Sequence, residues 1–115
     1  MENQTNNLTW SDFQKVEMRI GTIIHAEIFA EARNRAYKIV VDFGEFGTRK
    51  TSAQITNLYQ PDELIGKQVV AVVNFPPKQI ANIMSECLIL GGLADGKDVI
   101  LIQPERTVKN GTKIA

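Results

Sequence analysis

Residues 16–28 read VEMRIGTIIHAEI, and their alternation decides the fold. Val16, Met18, Ile20, Thr22, Ile24, Ala26 and Ile28 fall on one parity, and Glu17, Arg19, Gly21, Ile23, His25 and Glu27 on the other. A period of two predicts a long β-strand with its even-numbered face buried. Gly21 sits where a strand in a small barrel must bend sharply. Upstream, Thr9 followed by Asp12 predicts the cap of a short helix running to about Val16, with Trp10 and Phe13 on one side. Residues 1–8 are rich in Asn and Gln and lack periodicity, which predicts a disordered amino-terminal tail ahead of a domain over 9–115.

Downstream the pattern stays β. FAEARNRA is a charged loop, and AYKIVVD (36–42) is a strand with Tyr37, Ile39 and Val41 on one face. Gly44 and Gly47 bracket a turn, so Thr48–Ala53 returns as the second arm of a hairpin. Residues 54–66 read as a short helix or turn connection, with Pro61 starting a second turn and Gly66 ending it. Gln68–Val73 is almost uniformly apolar and β-branched, as a central strand requires. After the NFPP corner comes a turn at KQIAN. Ser85–Leu90 is the next strand, closing on Gly91-Gly92, and Val99–Ile102 follows. Val108–Ile114 holds an Asn110-Gly111 turn, and two short carboxy-terminal strands are an addition to the five core strands. The expected class is all-β with short helices. Five core strands with a connection between the third and fourth match an OB-fold barrel, here with additional elements at both chain ends.

Composition narrows the function. The chain has 115 residues, 43% of them hydrophobic, with 13 basic and 13 acidic side chains. That balance argues against a dedicated duplex-DNA binder. No stretch is long and apolar enough to span a bilayer, and no secretory leader is visible, so a cytoplasmic location without membrane insertion is expected. Cys87, the only cysteine, lies in an apolar strand far in sequence from His25, the only histidine, and is expected to be a buried, inert thiol. No Asp/Glu loop has metal-ligand spacing, and Gly91-Gly92 lacks the lysine and helix of a phosphate loop. No catalytic residue, metal site or cofactor is expected, and the chain is not read as an enzyme.

What remains is a binding rim. Ser52 and Gln54 leave the third strand, Asn74 and Phe75 leave the fourth, and Ser85 and Glu86 enter the fifth. Arg33 and Lys50 bring positive charge, and Pro76 with Pro77 stiffens the corner. Two readings stay open at this point. Either these groups form a preorganised concave edge that binds ligand, or Asn74 caps a turn and Phe75 fills the core.

VEMRIGTI, EARNRAYKIVVDFG, TSAQIT and NFPPKQIANIMSECLILGG together resemble the CsaA proteins, export-related chaperones of the tRNA-binding-domain superfamily. Four segments agree in order and spacing, from about Phe13 to Ile114. The resemblance implies a homodimer joined through elements at both chain ends. It also implies binding of unfolded or preprotein segments, in cooperation with an export machinery and without ATP hydrolysis. The wider superfamily binds tRNA through a motif resembling Asn74 followed by Ser-Glu-Gly-Met. Here the chain reads Ser85-Glu86-Cys87-Leu88, so a cysteine side chain is expected to hold nucleic acid back where glycine admits it. The alternative ligand is tRNA, with Arg33, Lys50 and Lys78 on phosphates and Phe75 as a stacking surface. Asn34-Arg35-Ala36 is more charged than the family loop, which shifts the expected peptide preference toward acidic segments.

Overall fold

A computed structural model describes residues 6–115, so the first five residues of the expected tail lie outside the described residues. In chain order the elements are α1 (Trp10–Gln14), β1 (Met18–Ile28), β2 (Tyr37–Asp42), β3 (Thr48–Ala53), α2 (Pro61–Leu64), β4 (Gln68–Val72), β5 (Lys78–Ile80), β6 (Ile83–Ser85), β7 (Leu88–Ile89), β8 (Gly91–Leu93) and β9 (Val99–Leu101). Five strands form the antiparallel sheet β3-β2-β1-β4-β7, which curls into a nearly closed OB-type barrel. β5 pairs with β6, and β8 with β9, as two separate hairpins. The core gathers Ile23, Tyr37, Ile39, Val41, Phe43, Ile55, Leu64, Val69, Ala71 and Cys87.

Local chemistry accounts for most boundaries. Thr9 Oγ1 accepts the Asp12 N–H at 3.0 Å and starts α1, where the Trp10 and Phe13 rings lie 5.7 Å apart. Pro61 opens α2, and Gln60 with Glu63 forms a capping box around it. Tyr37, Ile39 and Val41 are buried as the alternation predicts.

Five expectations change. The buried face of β1 is not the even one throughout. Gly21 and Ile23 face the core, while Ile24 and Ile28 are exposed. A β-bulge between Ile23 and His25 inserts one residue into the pairing with β2 and switches the parity, so that Ala26 packs against the core beyond it. Gly21 is needed for contact as well as for bending: a Cβ there would lie 2.6 Å from Val41 Cγ1 and 2.7 Å from the Phe43 ring.

The KQIAN turn is instead the β5–β6 hairpin, turned at Ala81 with φ of 49°. Ser85–Leu90 is not one strand. Between β6 and β7 the chain is drawn sideways to β3, because the Glu86 N–H donates to the Lys50 carbonyl (2.8 Å) and the Lys50 N–H donates to Glu86 Oε1 (2.9 Å). Gly91-Gly92 does not end the run, since both glycines belong to β8. The strand expected at Val99–Ile102 stands as β9, but residues 108–114 give a turn and one bridge, Arg19 to Lys113, in place of a further strand. The backbone of this last stretch bonds Ile20 and Met18, covering the start of β1 on the side opposite β4.

Candidate functional site: the seam between β3 and β7

The barrel closes where β3 meets residues 85–87, and the closure depends on side chains. Thr51, buried on β3, donates from Oγ1 to the Cys87 carbonyl at 2.7 Å and lies 3.0 Å from Ser85 Oγ. Arg49 Nη1 donates to the carbonyls of Val73 (2.7 Å) and Glu86 (3.3 Å), tying β3 to the end of β4. Neither residue is among the site candidates read from the sequence. The alternation of TRKTSA carried a signal for Thr51, a polar residue at the inward parity of a strand, where burial demands hydrogen-bond partners.

Beyond Thr51 and Cys87 the two strands part. An open groove of about 580 Å³ occupies the gap, with Ser52, Gln54, Leu88 and Leu93 on its sides and Arg35 and Lys97 among its lining. Its apolar lining includes Ala53, Ile89 and Val99, which pack against the core. A second depression of about 340 Å³ adjoins it and shares Arg35 and Thr56; Arg33 lines this one.

The sequence-derived candidates therefore separate into four places. Ser52 and Gln54 line the groove. Arg33 lies on the neighbouring depression. Lys50, Ser85 and Glu86 build the closure just below the groove. Asn74, Phe75, Pro76 and Lys78 stand apart at the corner leading into the β5–β6 hairpin, outside both depressions.

Asn74 ties the amino-terminal segment down: its Nδ2 donates to the Lys15 carbonyl (2.7 Å), and its Oδ1 accepts the Glu17 N–H (2.9 Å). Phe75 does not fill the core, being 56% exposed. Groove residues that the sequence reading did not select are Arg35 (chosen only as a charge on peptide preference), Lys97, Leu88 and Leu93. They come from three separate segments, and no local pattern joins them.

Cys87 is buried, and burial pushes its thiol up from 9.0 to about 11. The nearby Arg49 opposes that rise, Glu86 reinforces it, and the Thr51 hydrogen bond lowers it again. The side chain points into the core, so it does not obstruct the surface, and the expected steric block at this position is absent. Leu88, 48% exposed, is the outward group. Among the described residues no group of three or more His, Cys, Asp or Glu is placed to hold a metal ion. No helix among them is long and apolar enough to cross a membrane.

Residues 18–113 match the family described as a putative tRNA-binding domain. The chain is 36% identical over 107 residues to the methionine–tRNA ligase of Methanococcoides burtonii, covering 93% of this chain but 16% of that protein. It thus spans about a sixth of the length of the ligases it matches. Among solved structures, chaperone CsaA from Bacillus anthracis superposes with a TM-score of 0.91 at 51% identity, over 95% of this chain and 99% of that one. The CsaA chaperone protein from Picrophilus torridus gives 0.89 at 48% identity, over 95% and 100%. A protein from Pyrococcus horikoshii described as related to methionyl-tRNA synthetase gives 0.84 at 27% identity, over the whole of both chains.

Proposed function

Because the chain belongs to the CsaA proteins of the tRNA-binding-domain family, we propose that it is a chaperone that holds unfolded or preprotein segments without hydrolysing ATP. The observation that carries this reading is the groove at the seam. It offers an apolar floor, exposed leucines on its walls and a polar rim, the combination that suits a chain with exposed apolar side chains. The working unit is a homodimer in the cytoplasm that hands its clients to an export machinery. The chain ends support the dimer. Trp10, Phe13, Val16 and Ile114 line an open apolar depression, and Trp10 is 70% exposed. Burying these side chains against a second copy would remove them from water, with two client sites per dimer as the consequence.

The second reading is tRNA binding. The inward-facing Cys87 leaves the surface open, the exposed Phe75 offers a stacking face, and Arg33, Arg35, Lys50, Lys78 and Lys97 provide cations. Fluorescence anisotropy with a labelled unfolded preprotein segment and with bulk tRNA, each at low and near-physiological salt, separates the two. Saturable peptide binding that persists in salt is the expected result. Tight tRNA binding with a steep salt slope and no peptide signal would replace the chaperone reading with the nucleic-acid one.

A further inference from the structure

The groove at the seam does not stand alone. The smaller depression beside it has Arg35 and Thr56 in its own lining, so the two are neighbours across those side chains. Each has separate apolar ground. In the groove Ala53, Ile89 and Val99 pack against the core, and Leu93 is an exposed wall. In the smaller depression Phe29, Ala36 and Tyr37 are buried, and Ile28 is the exposed wall.

Charge follows the same division. Lys97 lines only the groove, Arg33 only the smaller depression, and Arg35 both. No Asp or Glu lines either one. None of the three cations forms an ion pair among the described residues. A carboxylate arriving between the depressions therefore meets positive charge and displaces no existing partner.

The rings favour polypeptide over nucleic acid. Base stacking needs an exposed aromatic face, and the two rings in these linings, Phe29 and Tyr37, are both buried. The Tyr37 hydroxyl is bonded to the Tyr59 carbonyl at 2.6 Å. What the ligand meets is aliphatic surface and cations.

We infer that the two depressions act as one bipartite site for an extended polypeptide, with an aliphatic side chain in each and an acidic residue between them at Arg35. This rests on the peptide-binding reading above and specifies which segments are held. Alternate residues of an extended chain share a face, so the recognised pattern is aliphatic-x-acid-x-aliphatic. Two linked contacts bind more tightly than either alone, so the site favours segments that carry both.

The test is fluorescence anisotropy with a labelled peptide reading leucine, threonine, aspartate, threonine, leucine between serine flanks. Versions carry serine for the first leucine, serine for the last, or asparagine for the aspartate. The protein variants Ile28→Ser and Leu93→Ser alter exposed walls, so the fold is retained. Loss of either leucine is expected to weaken binding to the wild type about tenfold. Ile28→Ser should erase most of the effect of one leucine, and Leu93→Ser that of the other, as coupled pairs do. Asparagine for aspartate should weaken binding several-fold at low salt and less at high salt. Arg35→Gln should remove more of that difference than Arg33→Gln or Lys97→Gln, because Arg35 alone lines both depressions.

Erasure of the same leucine's effect by both wall variants would overturn the bipartite site. Equal binding of the aspartate and asparagine peptides would overturn the acidic partner. Failure of the short peptide while an unfolded preprotein segment still binds would overturn this pattern and leave the chaperone reading intact. Failure of both ligands would overturn the two readings together. Single-stranded RNA that displaces the peptide and is itself lost with Arg35→Gln would assign the depressions to nucleic acid.

Discussion

Cys87 and Thr51 show how much a single buried atom decides in this barrel. The Cys87 thiol is raised from 9.0 to about 11, chiefly by burial, so the folded protein holds its proton more tightly than the unfolded chain does. Its contribution to stability is therefore complete below pH 9 and declines as pH rises from 9 toward 11, by about 1.4 kcal/mol per pH unit. Urea unfolding of the wild type at pH 8 and pH 10 should show that loss, and Cys87→Ala should show less of it. Thr51→Val keeps the shape of the side chain but deprives the Cys87 carbonyl of its 2.7 Å donor. Leaving a buried acceptor poorly satisfied costs about 1–3 kcal/mol, read as a lower urea midpoint at unchanged slope. Both residues lie at the barrel closure, so Thr51→Val should also weaken peptide binding at the seam.

At the scale of elements, the strands and turns set by local chemistry were legible and those set by cross-chain bonding were not. The Thr9–Asp12 cap, the Gly44–Gly47 turn and the Pro61 start of α2 each need only neighbouring residues, and each stands where the sequence places it. The β1 bulge was hidden because Ile23 and Ile24 are both apolar, so either parity could be the buried one until β2 fixed the register. The split of 85–90 was hidden because its cause is Lys50, 36 residues away. Asn74 belongs to the same class: its bonds to the Lys15 carbonyl and the Glu17 N–H tie the link between α1 and β1 to the end of β4. Asn74→Ala should cost about 1–2 kcal/mol and loosen the amino-terminal segment, seen as a changed Trp10 emission before global unfolding. Any loss of ligand binding in that variant would be indirect if Trp10 emission and binding change together.

For the whole molecule, the exposed Trp10 connects fold to assembly. Trp10→Ser removes the largest exposed apolar group of the depression formed by the two chain ends. Sedimentation of the wild type is expected to show a dimer, and this variant should shift toward monomer at the same concentration, with its far-UV circular dichroism retained. A dimer unaffected by the change would place the interface on another face, where Leu93 and Ile100 are also exposed.

Taken by itself, the sequence determined the all-β barrel, the strands from β1 to β4 and the burial of Cys87. Those depend on alternation, turn chemistry and composition, which are properties of short stretches, while the family resemblance rests on four segments agreeing in order and spacing. Only the tertiary structure decided which face of β1 is buried, where the barrel fails to close and which rim residues share a groove. Ser52, Arg35, Leu88 and Lys97 are distant in sequence and meet only because β3 and β7 part beyond Thr51. The register and hydrogen bonding of paired strands set that parting, and neither is written in any one segment.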